Sequence, residues 1–444
     1  MPVIMRLDQG SKPEPAPEPA PELGNESYNV KDKETEEIKN EPQVHIVEVS
    51  PRDGLQNIPE FISTETKVAL IRRLAGTGLR TIEIASIVSP KAVPQLADWR
   101  DVLGHRTVRE LSRSGWEGPA METGSASASD SDSDSESSRQ SESGFESETE
   151  PELDLEPREG LSLPILLPNL KGLSLLLSHS PRPAIGSICV FISATGPFSH
   201  RNINCSVGDG LLRAAEVTVA AKKAGIPRVR GYISCIFTDP ITHERTDPSA
   251  VLHCTRFLLE SGVDEIALSD TDGSGTAGLT SSLLRYLLEN GVPVDRLACH
   301  FHDTRGRGLE NAWAAYEVGV RVFDGSVAGL GGCPFAPGAR GNVDTGSLVK
   351  MFEGNGVRTG VDLGLLDEVG KWVKGRLRGY REGGRNGDRN GTRTGLGAGK
   401  DEREERNEWI RAVGTAAAAA TTTTTTRTGE HCGWAFSRPL GIER

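Results

Sequence analysis

The sequence predicts an α/β fold, a (β/α)8 TIM barrel over residues 44–380, from two observations. Eight short, β-branched or apolar runs follow one another along this stretch, and most of them precede a segment with helical apolar spacing. No Gly-x-Gly-x-x-Gly follows the first run, which weighs against the doubly wound open sheet, the other fold with this alternation.

The expected strands are "VHIVEVS" (44–50), "TIEIAS" (81–86), "PILLP" (164–168) and "SICVFIS" (187–193). Four more follow at "VRGYISC" (229–235), "EIALSD" (265–270), "RLACHFH" (296–302) and "VFDGSVAG" (322–329). Between the first two lies "STETKVALIRRLAGTG", a helix with Ser63 as its cap and Val68, Ile71 and Leu74 on one face. "DGLLRAAEVTVAAKKAG" is a second helix, stopped by Gly225.

Three tracts fall outside this pattern. Residues 1–43 are rich in Pro, Glu and Lys and cannot build a core. They are also unlike a mitochondrial presequence, which is Arg-rich and poor in acids. About 119–159 is a Ser/Asp/Glu near-repeat, read as a solvated insertion between strands two and three. Residues 381–444 run from Gly/Arg/Asn-rich sequence into "AAAAATTTTTT" and are read as a low-complexity tail.

The bulk numbers narrow the function classes. The chain of 444 residues is only 36% hydrophobic, as expected if part of it stays outside the core. A formal charge of −12 argues against nucleic-acid and anionic-membrane partners, so an acidic substrate needs local positive charge or a cation. No apolar run reaches the ~18 residues of a membrane span. Seven scattered cysteines without a C-x-x-C pair suggest reduced thiols inside a cell.

In a barrel, chemistry sits at the C-terminal strand ends. The Arg52-Asp53 pair lies there in "VHIVEVSPRDGLQN", although Pro-x-Asp-Gly is also ordinary turn chemistry. Glu83 lies inside strand two, where a satisfied buried acid is the plain alternative, and Asp270 closes strand six, where it could cap a helix. "CHFHDT" (299–304) puts His300 and His302 on one strand face and Cys299 on the other. Two imidazoles completed by oxygen donors, Asp53 and Asn342, favour Mg²⁺ or Mn²⁺ over zinc. "SVAGLGGCPFAPGARGN" (326–342) is a glycine-rich loop with Cys333 in its middle. It is either a linker that carries a cysteine or a closing loop that delivers a thiol proton.

Taken together, "EVSPRDGLQN", "IEIASIVSPKAVPQLAD", "LLPNLKG", "NINCS", "RGYISC", "CHFHDT" and "SVAGLGGCPFAPGARGN" resemble the 3-hydroxy-3-methylglutaryl-CoA lyase family, in order along the whole predicted barrel. The resemblance implies cleavage of (S)-3-hydroxy-3-methylglutaryl-CoA to acetoacetate and acetyl-CoA, in leucine breakdown and ketone-body formation. It implies a cation held by Asp53, His300, His302 and Asn342, an enolate stabilised by Arg52, and a carbanion protonated by Cys333. Glu83 and Asp270 would support the site, and Asp53 or His300 would take the hydroxyl proton. Lys91, Asn169, Lys171 and Arg201 are candidate CoA contacts. A homodimer and a mitochondrial location are also implied; the N-terminal residues do not support the latter, and the cytoplasm is the alternative.

Departures cluster around the expected substrate mouth. Thr345-Gly346-Ser347 stands where the family usually carries Thr-Glu-Asp. "IFTDPITHERTDP" replaces Cys-Pro-Tyr-Glu-Gly and its surroundings, and Asp272 replaces an aliphatic residue. A paralogue acting on a related 3-hydroxyacyl-CoA, a Claisen-type condensing enzyme and an inactive, interaction-only barrel are the competing readings.

Overall fold

The computed structural model describes residues 43–113, 160–331 and 341–386. Most of residues 1–43 and 381–444, the acidic tract and Cys333 lie outside the described residues.

Eight parallel strands form the predicted barrel. They are β1 His45–Glu48, β2 in two pieces (Thr81–Ile82 and Ala85–Ser86), β3 Ile165–Leu166, β4 Ser187–Ser193, β5 Arg228–Ser234, β6 Glu265–Asp270, β7 Leu297–Phe301 and β8 Val322–Gly325. Each strand pairs with the next, and β8 returns to β1 with Glu48 opposite Gly325. The break in β2 falls at Glu83 and Ile84, whose N–H groups still donate to Glu48 and Pro164 carbonyls, so the ring closes there.

The helices are α1 Thr64–Ala75, α2 Trp99–Gly104, α3 Arg106–Arg113, α4 Leu170–Ser178, α5 Gly196–Ile203 and α6 Val207–Lys223. They continue with α7 Pro248–Glu260, α8 Ala277–Glu289, α9 Gly308–Val318, α10 Thr345–Gly354 and α11 Leu363–Asn386. Ser63 caps α1 through its side chain, as its sequence position suggests. α6 starts earlier than the sequence pattern implies because Ser206 caps it, and Gly225 follows its end at φ +85°. No helix among the described residues is long and apolar enough to cross a membrane.

Period-2 alternation divides the barrel wall into two cores. In β4, Ile188, Val190 and Ile192 face the helices and join the large outer core, which takes Leu211, Ala214, Val217 and Ala221 from α6. Cys189 points inward with Leu166, Tyr232, Ala267 and Ala298. In β7, Ala298 and His300 share the inner face, whereas Cys299 packs outward with Leu297 and Phe301.

β1 and β8 both end sooner than their apolar runs, and a single carboxylate explains both. Buried Glu48 Oε1 accepts the Ser50 and Val327 N–H groups, each at 2.9 Å, and Oε2 accepts the Thr345 hydroxyl at 2.7 Å. Bonding to Glu48 rather than to a neighbouring strand frees Ser50–Gly54 to form a π-helical turn and Val327–Gly329 a 3₁₀ turn.

Candidate active site

The π-helical turn after β1 carries Arg52 and Asp53 onto the C-terminal end of the barrel. Arg52 is buried and forms a two-pronged pair with Glu83, Nε to Oε1 at 2.6 Å and Nη2 to Oε2 at 3.1 Å. Its Nη1 donates to Asp53 Oδ1 at 2.5 Å. Tyr232 donates its hydroxyl to Glu83 Oε2 at 2.6 Å and sets its ring 5.5 Å from the Arg52 guanidinium. Burial opposes the guanidinium charge, but the Glu83 and Asp53 carboxylates hold its pKa well above the ordinary value. Burial likewise keeps the Tyr232 phenol protonated, in the form that can donate to Glu83.

Asp53, His300 and His302 converge, with one ligand atom from each within 4.8 Å of the others. Burial disfavours the Asp53 anion, yet Arg52 and the two imidazoles draw its pKa below the usual carboxylate value. His302 is pushed down to about 4, by burial first and then by His300, so its ring is neutral and carries a free lone pair at pH 7.

Backbone pairing brings in the fourth predicted ligand. An isolated bridge joins His302 to Asn342, flanked by Asp303 N–H to Gly341 O at 2.6 Å and Val343 N–H to Phe301 O at 3.2 Å. Asn342 Nδ2 donates to Asp53 Oδ2 at 2.7 Å and to the Leu330 carbonyl at 3.2 Å. Two glycines allow this approach. A Cβ on Gly54 would meet Ser326 Oγ at 2.6 Å, and one on Gly331, at φ +104°, would meet Asn342 Nδ2 at 2.8 Å.

The donor set fits a hard divalent cation. Buried Asn342 Oδ1 and His302 Nδ1 have no hydrogen-bond partner, an arrangement that is costly unless something else satisfies them. Arg52, Asp53 and Glu83 together carry one cation against two carboxylates, which leaves a negative charge to be neutralised. Nitrogen and oxygen donors without thiolate suit Mg²⁺ or Mn²⁺.

The remaining predicted residues are spread around the same rim. Asp270 accepts from Ser274 N at 3.1 Å and Gly275 N at 2.9 Å, closing the turn after β6, and burial raises its pKa to about 7. Asp272 is buried beside it and faces Arg305 at 3.5 Å across the β6 and β7 loops. Asn169 caps α4 by accepting from Gly172 N at 3.0 Å, and Lys171 is exposed on that helix's first turn. Lys91 and Arg201 are exposed on the segments after β2 and β4. These four are therefore not drawn into the Asp53–His300–His302 cluster.

Sequence reasoning missed a second buried arm under the cluster. Arg230 Nη2 donates to Asp324 Oδ1 at 2.6 Å, and Asp324 Oδ2 lies 3.0 Å from His300 Nδ1. Burial would raise the Asp324 pKa, but Arg230 and His300 hold it below the ordinary value. Glu48 was missed as well. The available signal was a charged residue within an apolar strand, on the inward face of "VRGYISC" or in the middle of "VFDGSVAG".

The chain is similar to several known proteins. A family model described as HMGL-like matches residues 179–373. The mitochondrial hydroxymethylglutaryl-CoA lyase of Arabidopsis thaliana is 39% identical over 75% of this chain, which spans 59% of that protein's length. The cytoplasmic 3-hydroxy-3-methylglutaryl-CoA lyase of Danio rerio is 39% identical over 74% of this chain and 82% of its own. The crystal structure of the Bacillus subtilis HMG-CoA lyase superposes with a TM-score of 0.61 at 33% identity, covering 76% of this chain and 95% of that one. Inner-face histidines, a charged turn after β1 and collinear identity along the barrel lead to one assignment: this chain belongs to the hydroxymethylglutaryl-CoA lyase family.

Proposed function

We propose that the protein is a divalent-metal-dependent carbon–carbon lyase that cleaves (S)-3-hydroxy-3-methylglutaryl-CoA to acetoacetate and acetyl-CoA, in leucine catabolism and ketone-body formation. The observation that carries this reading is the convergence of Asp53, His300 and His302 beside a fixed, charged Arg52. Asp53, His300, His302 and Asn342 would hold Mg²⁺ or Mn²⁺. A bound cation of this kind supplies Lewis acidity at the tertiary hydroxyl and orients the substrate carboxylate.

The protein's own groups carry the remaining steps. Asp53 or His300 takes the hydroxyl proton. As the carbinol C–O becomes a ketone, the bond to the adjacent CH₂ breaks, and its electron pair moves into the thioester as an enolate. Arg52, locked by Glu83, places positive charge where that enolate oxygen develops. Cys333 delivers a proton to the CH₂ carbon and completes acetyl-CoA. Asp270 keeps the loop after β6 in place. Lys91, Asn169, Lys171 and Arg201 are the proposed CoA contacts on the rim.

The Asp272–Arg305 pair and the absence of an acid at Gly346 favour a second reading, a related 3-hydroxyacyl-CoA as substrate. We also propose a homodimer and a location in the mitochondrial matrix, the plant relative being named as mitochondrial, with the cytoplasm, which the fish relative's name gives, as the alternative. The test is release of acetoacetate from the CoA ester by the full chain, with and without Mg²⁺ or Mn²⁺. Metal-dependent release supports the lyase, whereas no release from this ester alongside cleavage of a homologous one supports the second reading. Full-rate release by Cys333→Ala removes the thiol from the mechanism. Absence of cleavage with any ester leaves a condensing enzyme or an inactive barrel.

A further inference from the structure

We infer that the Arg230–Asp324 pair is a positioning device that fixes the His300 ring tautomer and thereby sets the cation affinity of the site. This rests on the reading of Asp53, His300 and His302 as a metal centre.

The inference comes from an accounting of donors and acceptors. Asp324 is buried on β8, and both of its oxygens are committed, Oδ1 to Arg230 at 2.6 Å and Oδ2 to His300 at 3.0 Å. A carboxylate can only accept, so the proton of neutral His300 resides on Nδ1, and Nε2 holds the lone pair that ligates. Arg230 reaches Asp324 across the barrel interior from β5, three strands away in the sheet. Its guanidinium keeps that carboxylate committed as an acceptor. Tyr232, two residues along β5, sets its ring edge-on to His300 at 5.9 Å and 85° and lies 5.1 Å from the Arg230 guanidinium. The imidazole is therefore held at Nδ1 and against its ring, with Nε2 free to meet the ion. Neither Arg230 nor Asp324 touches Asp53 or His302 through any hydrogen bond or ion pair found among the described residues.

An amide at position 324 breaks this arrangement. In Asp324→Asn, one side of the amide must present NH₂, either toward Arg230, which is also a donor, or toward His300 Nδ1. The first orientation sets donor against donor, and the second drives the His300 proton to Nε2, where it blocks ligation. The full chain, stripped with chelator, is titrated with Mn²⁺ and free ion is followed by electron paramagnetic resonance. Asp324→Asn is expected to weaken Mn²⁺ binding by about 10–100-fold relative to wild type. Binding within twofold of wild type overturns the inference while leaving the metal centre intact. Failure of wild type to bind Mn²⁺ overturns the metal centre and the inference together. A second readout needs no folded variant. In ¹⁵N-histidine-labelled wild-type apoprotein, His300 is expected to show the Nδ1–H tautomer, and an Nε2–H signature overturns the inference.

Discussion

Arg52 illustrates how much one side chain depends on its neighbours. Its three bonds, to Glu83 twice and to Asp53, fix the guanidinium in one plane beside the proposed cation ligands. Replacing it with Gln removes the charge while keeping a polar side chain. The expected result is a fall in kcat of roughly 10²–10³, with Mn²⁺ affinity changed far less, because none of the four proposed ligands is lost. Equal losses in both would place Arg52 among the groups that build the cation site. The same neighbours determine what the sequence made legible. Arg52 and Asp53 stood out because they follow a strand's C-terminal end, and His300 and His302 because an H-x-H near a strand's end puts both on one face. Arg230 and Asp324 did not, since each is a lone charge within a strand and they lie 94 residues apart.

Glu48 acts at the residue scale with a pH signature. Burial pushes its pKa from 4.5 up to about 7 despite the opposing pull of the bonds it accepts from Ser50, Thr345 and Val327. The folded state thus binds this proton more tightly than the unfolded chain does. Its contribution to stability is fully present below about pH 4.5 and is lost as pH rises through about 7. Asp270, raised to about 7 by burial, has the same sign. Glu48→Gln is neutral at every pH and keeps an oxygen for the Ser50 and Val327 N–H groups. Its amide can donate to the Thr345 hydroxyl oxygen. Chemical denaturation of wild type and Glu48→Gln at pH 5 and pH 8 should show the variant gaining stability relative to wild type at pH 8, by about 1.4 kcal/mol for each pH unit between pH 5 and about pH 7 and by nothing further above it. A constant difference between the two proteins across that range would contradict this reading.

At the scale of elements, the site is a seam between the turn after β1 and the stems of the segment that joins β8 to α10. Gly54 and Gly331 let the two backbones meet, with Gly54 Cα 3.4 Å from the Cβ position of Gly331. Gly54→Ala would push against Ser326 Oγ at 2.6 Å and Leu330 Cβ at 3.0 Å, moving Asp53 away from Asn342. A loss of about 1–3 kcal/mol in stability is expected from such overpacking, accompanied by weaker Mn²⁺ binding. Adding Ser326→Ala removes the nearest obstruction and should recover part of both losses. No recovery would mean that the seam is not what holds Asp53. This packing was only half legible. "SVAGLGGCPFAPGARGN" announced a close-bending loop, but the run "VFDGSVAG" gave no sign that the strand stops at Gly325. That stop depends on a carboxylate 279 residues earlier, bonding Val327 N–H in place of a ladder partner.

At the scale of the molecule, the barrel itself was legible because inward and outward residues alternate along its strands and turn signals separate them. All eight expected strands appear, with β2 split and β1, β3, β7 and β8 shortened. The inner core is small, built on Leu166, Cys189, Tyr232, Ala267 and Ala298, and above and beside it the interior is given to paired charges. Such pairs stabilise little relative to apolar packing, and removing one partner is far more damaging than replacing both. Glu83→Ala, which strands Arg52 beside Asp53 alone, should therefore lower stability by about 3–5 kcal/mol and reduce activity at least as much as Arg52→Gln. Thermal melts and acetoacetate release measured on the same preparation check both.

The central claim is that side chains from β1, β7 and the segment before α10 close on a single hard cation. A crystal of the full chain grown with Mn²⁺, with data collected near the manganese edge, tests it most directly. One anomalous peak is expected about 2.0–2.3 Å from donor atoms of Asp53, His300, His302 and Asn342. A structure with no peak there, or with the ion bound elsewhere while Asn342 Oδ1 and His302 Nδ1 remain without a partner, would contradict it.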